Sequence, residues 1–222
     1  MRKLTGAVFQ SLDGVMQAPG GPDEDPSSDF RFGGWAFHFW DGSLEEPFGK
    51  IIEAEYDLLL GKRTYDIFAA YWPYNQDIPI GARFQRINKY VLTHSDEPLG
   101  WEHSHRLCGD TAETVAELKR SEGRDLLIQG SSTLYVPLLA AGLIDRLVIM
   151  IFPLVLGEGK RIFDGSQAPG ALQLVDHSVS DKGVVFLTYE PGGDVPTGSF
   201  ASKEPSEAEL ERRAKLRQEE HA

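Results

Sequence analysis

The chain has 222 residues, 41% of them hydrophobic and 25% charged, which suits one sizeable packed core and excludes wholesale disorder. A formal net charge of −12 excludes a nucleic-acid partner, because affinity for a phosphate backbone needs an excess of Lys and Arg; a local basic pocket for a small anion stays open. The single cysteine, Cys108, excludes internal disulfides.

In chain order, Lys3 to Gln10 reads as a first strand, preceded by no apolar signal segment. From Gly14 to Gly34 the chain is rich in Gly, Pro, Asp and Ser and has no period, as in a lid, a binding loop or a simple insertion. The aromatics Trp35, Phe37, Phe39 and Trp40 follow, suited either to a core or to stacking on a flat ring. "SLEEPFGKIIEAEY" predicts a helix with Ser43 as N-cap and Glu46 at capping-box spacing. A strand, Asp57 to Gly61, leads into a short helix starting near Thr64, and "KYVLTHS" is a further strand. His103, His105 and Cys108 have no further ligands at metal-site spacing and alternate as a surface strand does, so no metal is expected.

Thr111 is the expected cap of an amphipathic helix. "DLLIQG" is a buried strand, "SSTLYVPLLAAG" a helix, and "LIDRLVIMIFPLVLG" a strand with a bend at Pro153. Its apolar run, Leu147 to Leu156, is too short to cross a bilayer, so a cytoplasmic protein with no membrane partner is expected. Two alternating runs around Asp181 to Gly183 predict a terminal hairpin. After Pro191 apolar residues become scarce, giving a domain over 1–191 and a polar tail over 192–222, partly helical from Ser206. Strands separated by helices predict an α/β fold whose sheet is mostly parallel, with an antiparallel end.

Three strands end in small, hydroxyl or basic residues: Gly61, Lys62, Arg63 and Thr64; Thr93, His94 and Ser95; and Gly130, Ser131, Ser132 and Thr133. In an open α/β sheet ligands bind beyond the carboxyl ends of the strands, and helix N-termini favour anions, so these ends together suit a molecule with several phosphates. No G-x-G-x-x-G follows the first strand, and "GEGKR" is not a P-loop, since Leu154 and Arg161 stand where Gly and Ser or Thr are required.

In order and spacing, "LTGAVFQSLDGV", "LLLGKRTYDIF", "IQGSSTLYVPLLAAGLIDRLVIMIFPLVLGEGKRIF" and the final hairpin resemble the dihydrofolate reductase superfamily. The resemblance is nearest to the reductase domain of bacterial riboflavin biosynthesis and its stand-alone relatives. It spans roughly residues 2 to 190 and is most specific from Ile128 to Phe163. It implies a three-layer α/β domain around a mixed sheet, NADPH as cofactor, a small-molecule substrate and a homodimer. It places the cofactor phosphates at the three strand ends and at Leu134, and the nicotinamide between Ala7 and Leu154, near Gly157. Lys62 stands where arginine is common, and Gln129 replaces the first of the usual glycines.

On the substrate side, counting back from Gly61 puts Glu45 where folate reductases carry a proton-assisting acid, though an acid there also complements the helix dipole. Asp13, at the mouth of the site, suits either substrate contact or a turn. The resemblance thus implies a reductase of a ribosylamino-pyrimidine or other small heterocycle. The alternatives are a dihydrofolate-type pterin reductase and a non-catalytic nucleotide-binding protein of the same fold.

Overall fold

The computed structural model describes residues 1–163, 165, 168–201 and 204–219. β1 (Leu4–Ser11) lies inside an eight-stranded sheet, paired in parallel with β5 (Asp125–Gln129) on one side and β6 (Arg146–Phe152) on the other. Beyond β5 the parallel run continues through β2 (Tyr56–Gly61), β3 (Lys89–Leu92) and β4 (Ser104–Leu107). The hairpin of β7 (Leu172–Val179) and β8 (Val185–Pro191) adds to β6 in the antiparallel sense, giving the order β4-β3-β2-β5-β1-β6-β8-β7.

Central parallel strands are covered on both faces, so they read as unbroken apolar runs; Leu58, Leu59 and Leu60 are all fully buried. On one face α1 (Glu45–Ile52), α2 (Lys62–Tyr71) and α3 (Pro79–Arg86) enclose a core containing Leu58, Leu60, Tyr65, Phe84 and Phe152. On the other, α4 (Thr111–Arg120) and α5 (Ser132–Ala140) bury Leu59, Val115, Ile128, Tyr135 and Leu138. The result is the mixed, mostly parallel three-layer α/β domain with an antiparallel C-terminal hairpin that the sequence predicts.

Several element boundaries differ from the sequence reading. Ser43 is not the cap before α1: Asp41 accepts its amide at 2.9 Å and caps a short 3-10 turn, while the Ser43 hydroxyl accepts the Asp181 amide at 3.0 Å. Asp110, not Thr111, caps α4, accepting the Glu113 amide at 3.0 Å. α2 begins at Lys62 rather than Thr64, directly on the end of β2. β6 stops at Phe152 because Pro153 has no N–H to continue the ladder.

The segment from Gly14 to Gly34 carries little regular structure but is packed. Val15, Met16, Gln17, Ala18 and Phe30 are buried. Gln17 ties it together: its side-chain amide donates to the Asp25 and Ser27 carbonyls, each at 2.9 Å, and its oxygen accepts the Lys160 amide at 3.1 Å. In the polar C-terminal stretch, α6 (Glu207–Glu219) buries no residue. Among the described residues, no helix is long and apolar enough to cross a membrane.

Candidate active site

The neighbouring strands β2 and β5 are followed by helices on opposite faces of the sheet, α2 on one and α5 on the other, which opens a crevice at the carboxyl ends of these strands. A cleft of about 400 Å³ lies there. Its floor is Ala7 and Phe9 of β1 and Gln129 of β5, and its sides are the starts of α2 and α5. The packed loop supplies the remaining wall through Met16, Ala18, Glu24 and Asp25.

The two strand-to-helix turns are locked together. The Gly61 amide donates to Ser131 Oγ at 3.0 Å, and the Ser131 amide donates to Thr64 Oγ1 at 2.9 Å. Gly130 takes φ +67°, a conformation that favours glycine, and a Cβ there would press on the Thr64 methyl at 3.0 Å. A Cβ at Gly61 would meet nothing closer than 3.8 Å, so the chain's own packing leaves space over that backbone. Neither helix has a side-chain cap or an acid in its first turn. Their leading amides and dipoles therefore face the cleft unneutralised, an anion-binding arrangement.

Cations reinforce it. Lys62 lines the cleft but is engaged by Asp66 at 2.8 Å and Glu97 at 3.2 Å. Arg63 meets Asp25 at 3.0 Å, and Lys160, from the loop after β6, also donates to Asp25. Desolvation raises the Asp25 pKa, but hydrogen bonds from Lys160 and Ser27 outweigh it and hold the carboxyl below its usual range. Asp25 thus occupies, as a carboxylate, the side of the cleft where an external anion would meet Arg63 and Lys160.

Of the sequence-derived site residues, the cleft brings together Ala7, Gly61, Lys62, Arg63, Thr64, Gly130, Ser131, Ser132 and Thr133. Leu134 is buried in the core beneath α5 rather than lining the cleft. Thr93, His94 and Ser95 stay outside the lining: Thr93 is buried, its hydroxyl accepts the Ser95 amide at 3.0 Å, and the Ser95 carbonyl is taken by Arg106. Two strand ends, not three, build the cleft. Leu154 packs against the core and Gly157 donates its amide to Asp13 at 2.8 Å; neither lines the cleft.

Neither candidate acid lines the cleft, and Asp13 takes the turn-stabilising place. Glu45 is exposed at the start of α1, outside the cleft. Asp13 accepts the Ser11 hydroxyl at 2.6 Å, the Leu156 and Gly157 amides at 3.0 and 2.8 Å, and Arg161 at 3.3 Å. Desolvation pushes its pKa up, but these bonds outweigh it, so the carboxyl is held well below the usual range and is a fixed acceptor, not a proton donor. The "GEGK" turn does cradle an anion, one from its own chain.

The acid the sequence reading missed is Glu24. It lines the cleft and accepts the Gly20 amide at 2.6 Å; burial pushes its pKa up, against the opposing pull of the Gly20 and Gly21 amides. Its position within an aperiodic Pro/Gly/Asp loop gives no sequence signal. The aromatics divide: Trp35 is core, whereas half-exposed Trp40 packs on Phe48 (5.1 Å between centroids) and on the cleft residue Phe9 (6.0 Å).

Comparison with known proteins fits this geometry. The family model described as the RibD C-terminal domain matches residues 2–186. The uncharacterized protein YyaP of Bacillus subtilis strain 168 is 26% identical over 140 residues, 61% of this chain and 74% of its own length. A putative riboflavin biosynthesis protein from Shewanella sp. PV-4 superposes with TM-score 0.60 at 22% identity, over 86% of this chain and 99% of that one. Dihydrofolate reductase from Enterococcus faecalis, solved with NADP(H) and RAB-propyl, gives TM-score 0.53 at 20% identity, over 86% of this chain and 96% of that one.

Proposed function

The chain belongs to the RibD C-terminal domain family, and on that premise we propose that it is an NADPH-dependent reductase. It would pass hydride to a small flat heterocycle or to the ribose-derived carbon of a ribosylamino-pyrimidine. One observation carries the reading: two uncapped helix N-termini, cross-linked through Gly61, Thr64 and Ser131, face one cleft together with Arg63 and Lys160.

These residues fit a dinucleotide. Backbone amides at the starts of α2 and α5 suit its phosphates, the free space over Gly61 admits close approach, and the apolar floor of Ala7 and Phe9 suits a ring. When bound, a dihydronicotinamide supplies the hydride. The chain's own part is to orient the two partners and exclude water, with Arg63 and Lys160 compensating phosphate charge. Glu24, a cleft-lining carboxyl whose pKa burial raises, is the acid placed to serve the cleft, whereas Glu45 lies outside it. We extend the proposal to a cytoplasmic protein and to a homodimer, the latter supported by the open edge of the sheet at β7, where Leu174, Val175 and Val179 are exposed.

Fluorescence titration tests the cofactor. NADPH should bind about tenfold or more tightly than NADH, and Arg63→Ala with Ser131→Ala should weaken it by about tenfold to a hundredfold, as loss of one or two charge-assisted bonds requires. No binding at millimolar NADPH overturns the reading. Oxidation of NADPH with a phosphoribosylamino-pyrimidine but not with dihydrofolate separates the pyrimidine substrate from the pterin.

A further inference from the structure

Gln129 ends β5 where the resemblance leads one to expect glycine, and its side chain has an unmet demand. Its Oε1 is buried and has no hydrogen-bond partner among the described residues. A buried acceptor left in this state costs stability unless a group from outside the chain supplies the donor.

The position of the residue says what that group is. Gln129 lies opposite Ala7 in the parallel register, so the two side chains share one sheet face, and both line the cleft with Phe9. Immediately afterwards Gly130 (φ +67°) and Ser131 (φ +55°) carry the backbone away to the start of α5. The carboxamide therefore stands on the apolar ring side of the cleft, beside the anion-binding turn rather than in it. It is neutral and planar and offers an acceptor next to a donor, the complement of another planar amide and not of a phosphate.

We propose that Gln129 is a specificity-determining residue that pairs with the planar amide edge of the ring held in the cleft. The assignment rests on the reductase reading. Two rings of that reading carry such an edge: the pyridine carboxamide of the cofactor and the cyclic amide of a pyrimidine substrate.

The test uses the full chain and Gln129→Leu, which keeps the volume and removes both polar atoms. Three cofactor probes are titrated: NADP+, its 3-acetylpyridine analogue, in which a methyl replaces the amide nitrogen, and 2′-phospho-ADP-ribose, which has no pyridine. If the cofactor supplies the edge, the wild type prefers NADP+ to the analogue by about fivefold or more, a single hydrogen bond's worth. Gln129→Leu then brings that ratio close to one and leaves 2′-phospho-ADP-ribose binding unchanged, which also shows that the variant is folded. If the substrate supplies it, the cofactor ratio stays put and KM for 5-amino-6-(5-phosphoribosylamino)uracil rises by a similar factor at unchanged kcat. Equal cofactor ratios together with equal pyrimidine behaviour in wild type and variant overturn the assignment. Failure of the wild type to bind 2′-phospho-ADP-ribose overturns the reductase reading itself, and this assignment with it.

Discussion

Asp25 sits where an incoming phosphate would, accepting from both Arg63 and Lys160, so any anionic ligand must displace a carboxylate of the chain before it gains those cations. The competition sets a conformational tax on apparent affinity. Asp25→Asn removes it, and NADPH affinity measured by titration should rise about threefold to tenfold, the scale of one partly exposed ion pair of roughly 0.5 to 1.4 kcal/mol. Unchanged or weaker binding would show that Asp25 does not contest the site. Residues of this kind are where the sequence is least legible. Asp13 is visible as an acid near the first turn, yet nothing local announces that Leu156, Gly157 and Arg161 close on it. Glu24 and Asp25 are acids in a loop without period, and only the folded loop turns them into the cleft.

At the scale of elements, the central strands are legible because burial on both faces fills them largely with apolar side chains. Caps are less so: Ser43 and Asp41, like Thr111 and Asp110, are neighbours of the same capping class. Long-range contact decides between the first pair, since the Ser43 hydroxyl is taken by the Asp181 amide. Gly6 shows the same dependence on distant packing. Glycine inside a strand ordinarily weakens it, but a Cβ at Gly6 would lie 2.6 Å from Cε1 of Tyr135, a fully buried ring on α5. That ring cannot retreat from a close-packed core. Gly6→Ala is expected to destabilise by about 1 to 3 kcal/mol, the usual cost of overpacking. The urea midpoint should fall at unchanged slope, and a variant as stable as the wild type would mean that Tyr135 has room to move.

For the whole molecule, the sequence conveys the layer architecture and the C-terminal hairpin, because periodicity and turn chemistry are local. It does not convey which strand ends share a cleft. Those at Gly61 and Gly130 follow β2 and β5, which are adjacent in the sheet, whereas Thr93 follows β3 one strand further out and spends its hydroxyl within its own turn. The same strand order leaves β7 at an edge, with all eight residues exposed and Leu174, Val175 and Val179 among them. An open, partly apolar edge is a liability in a single copy, and pairing with the same strand of a second copy about a two-fold axis closes it, leaving only the four-residue β4 at each outer edge. Sedimentation equilibrium at micromolar concentration should therefore find a dimer. Leu174→Lys with Val179→Lys should give a monomer with unchanged far-UV circular dichroism, since neither side chain is part of the buried core. A wild type that sediments as a monomer, or a double variant that still dimerises, would move the partner surface away from β7.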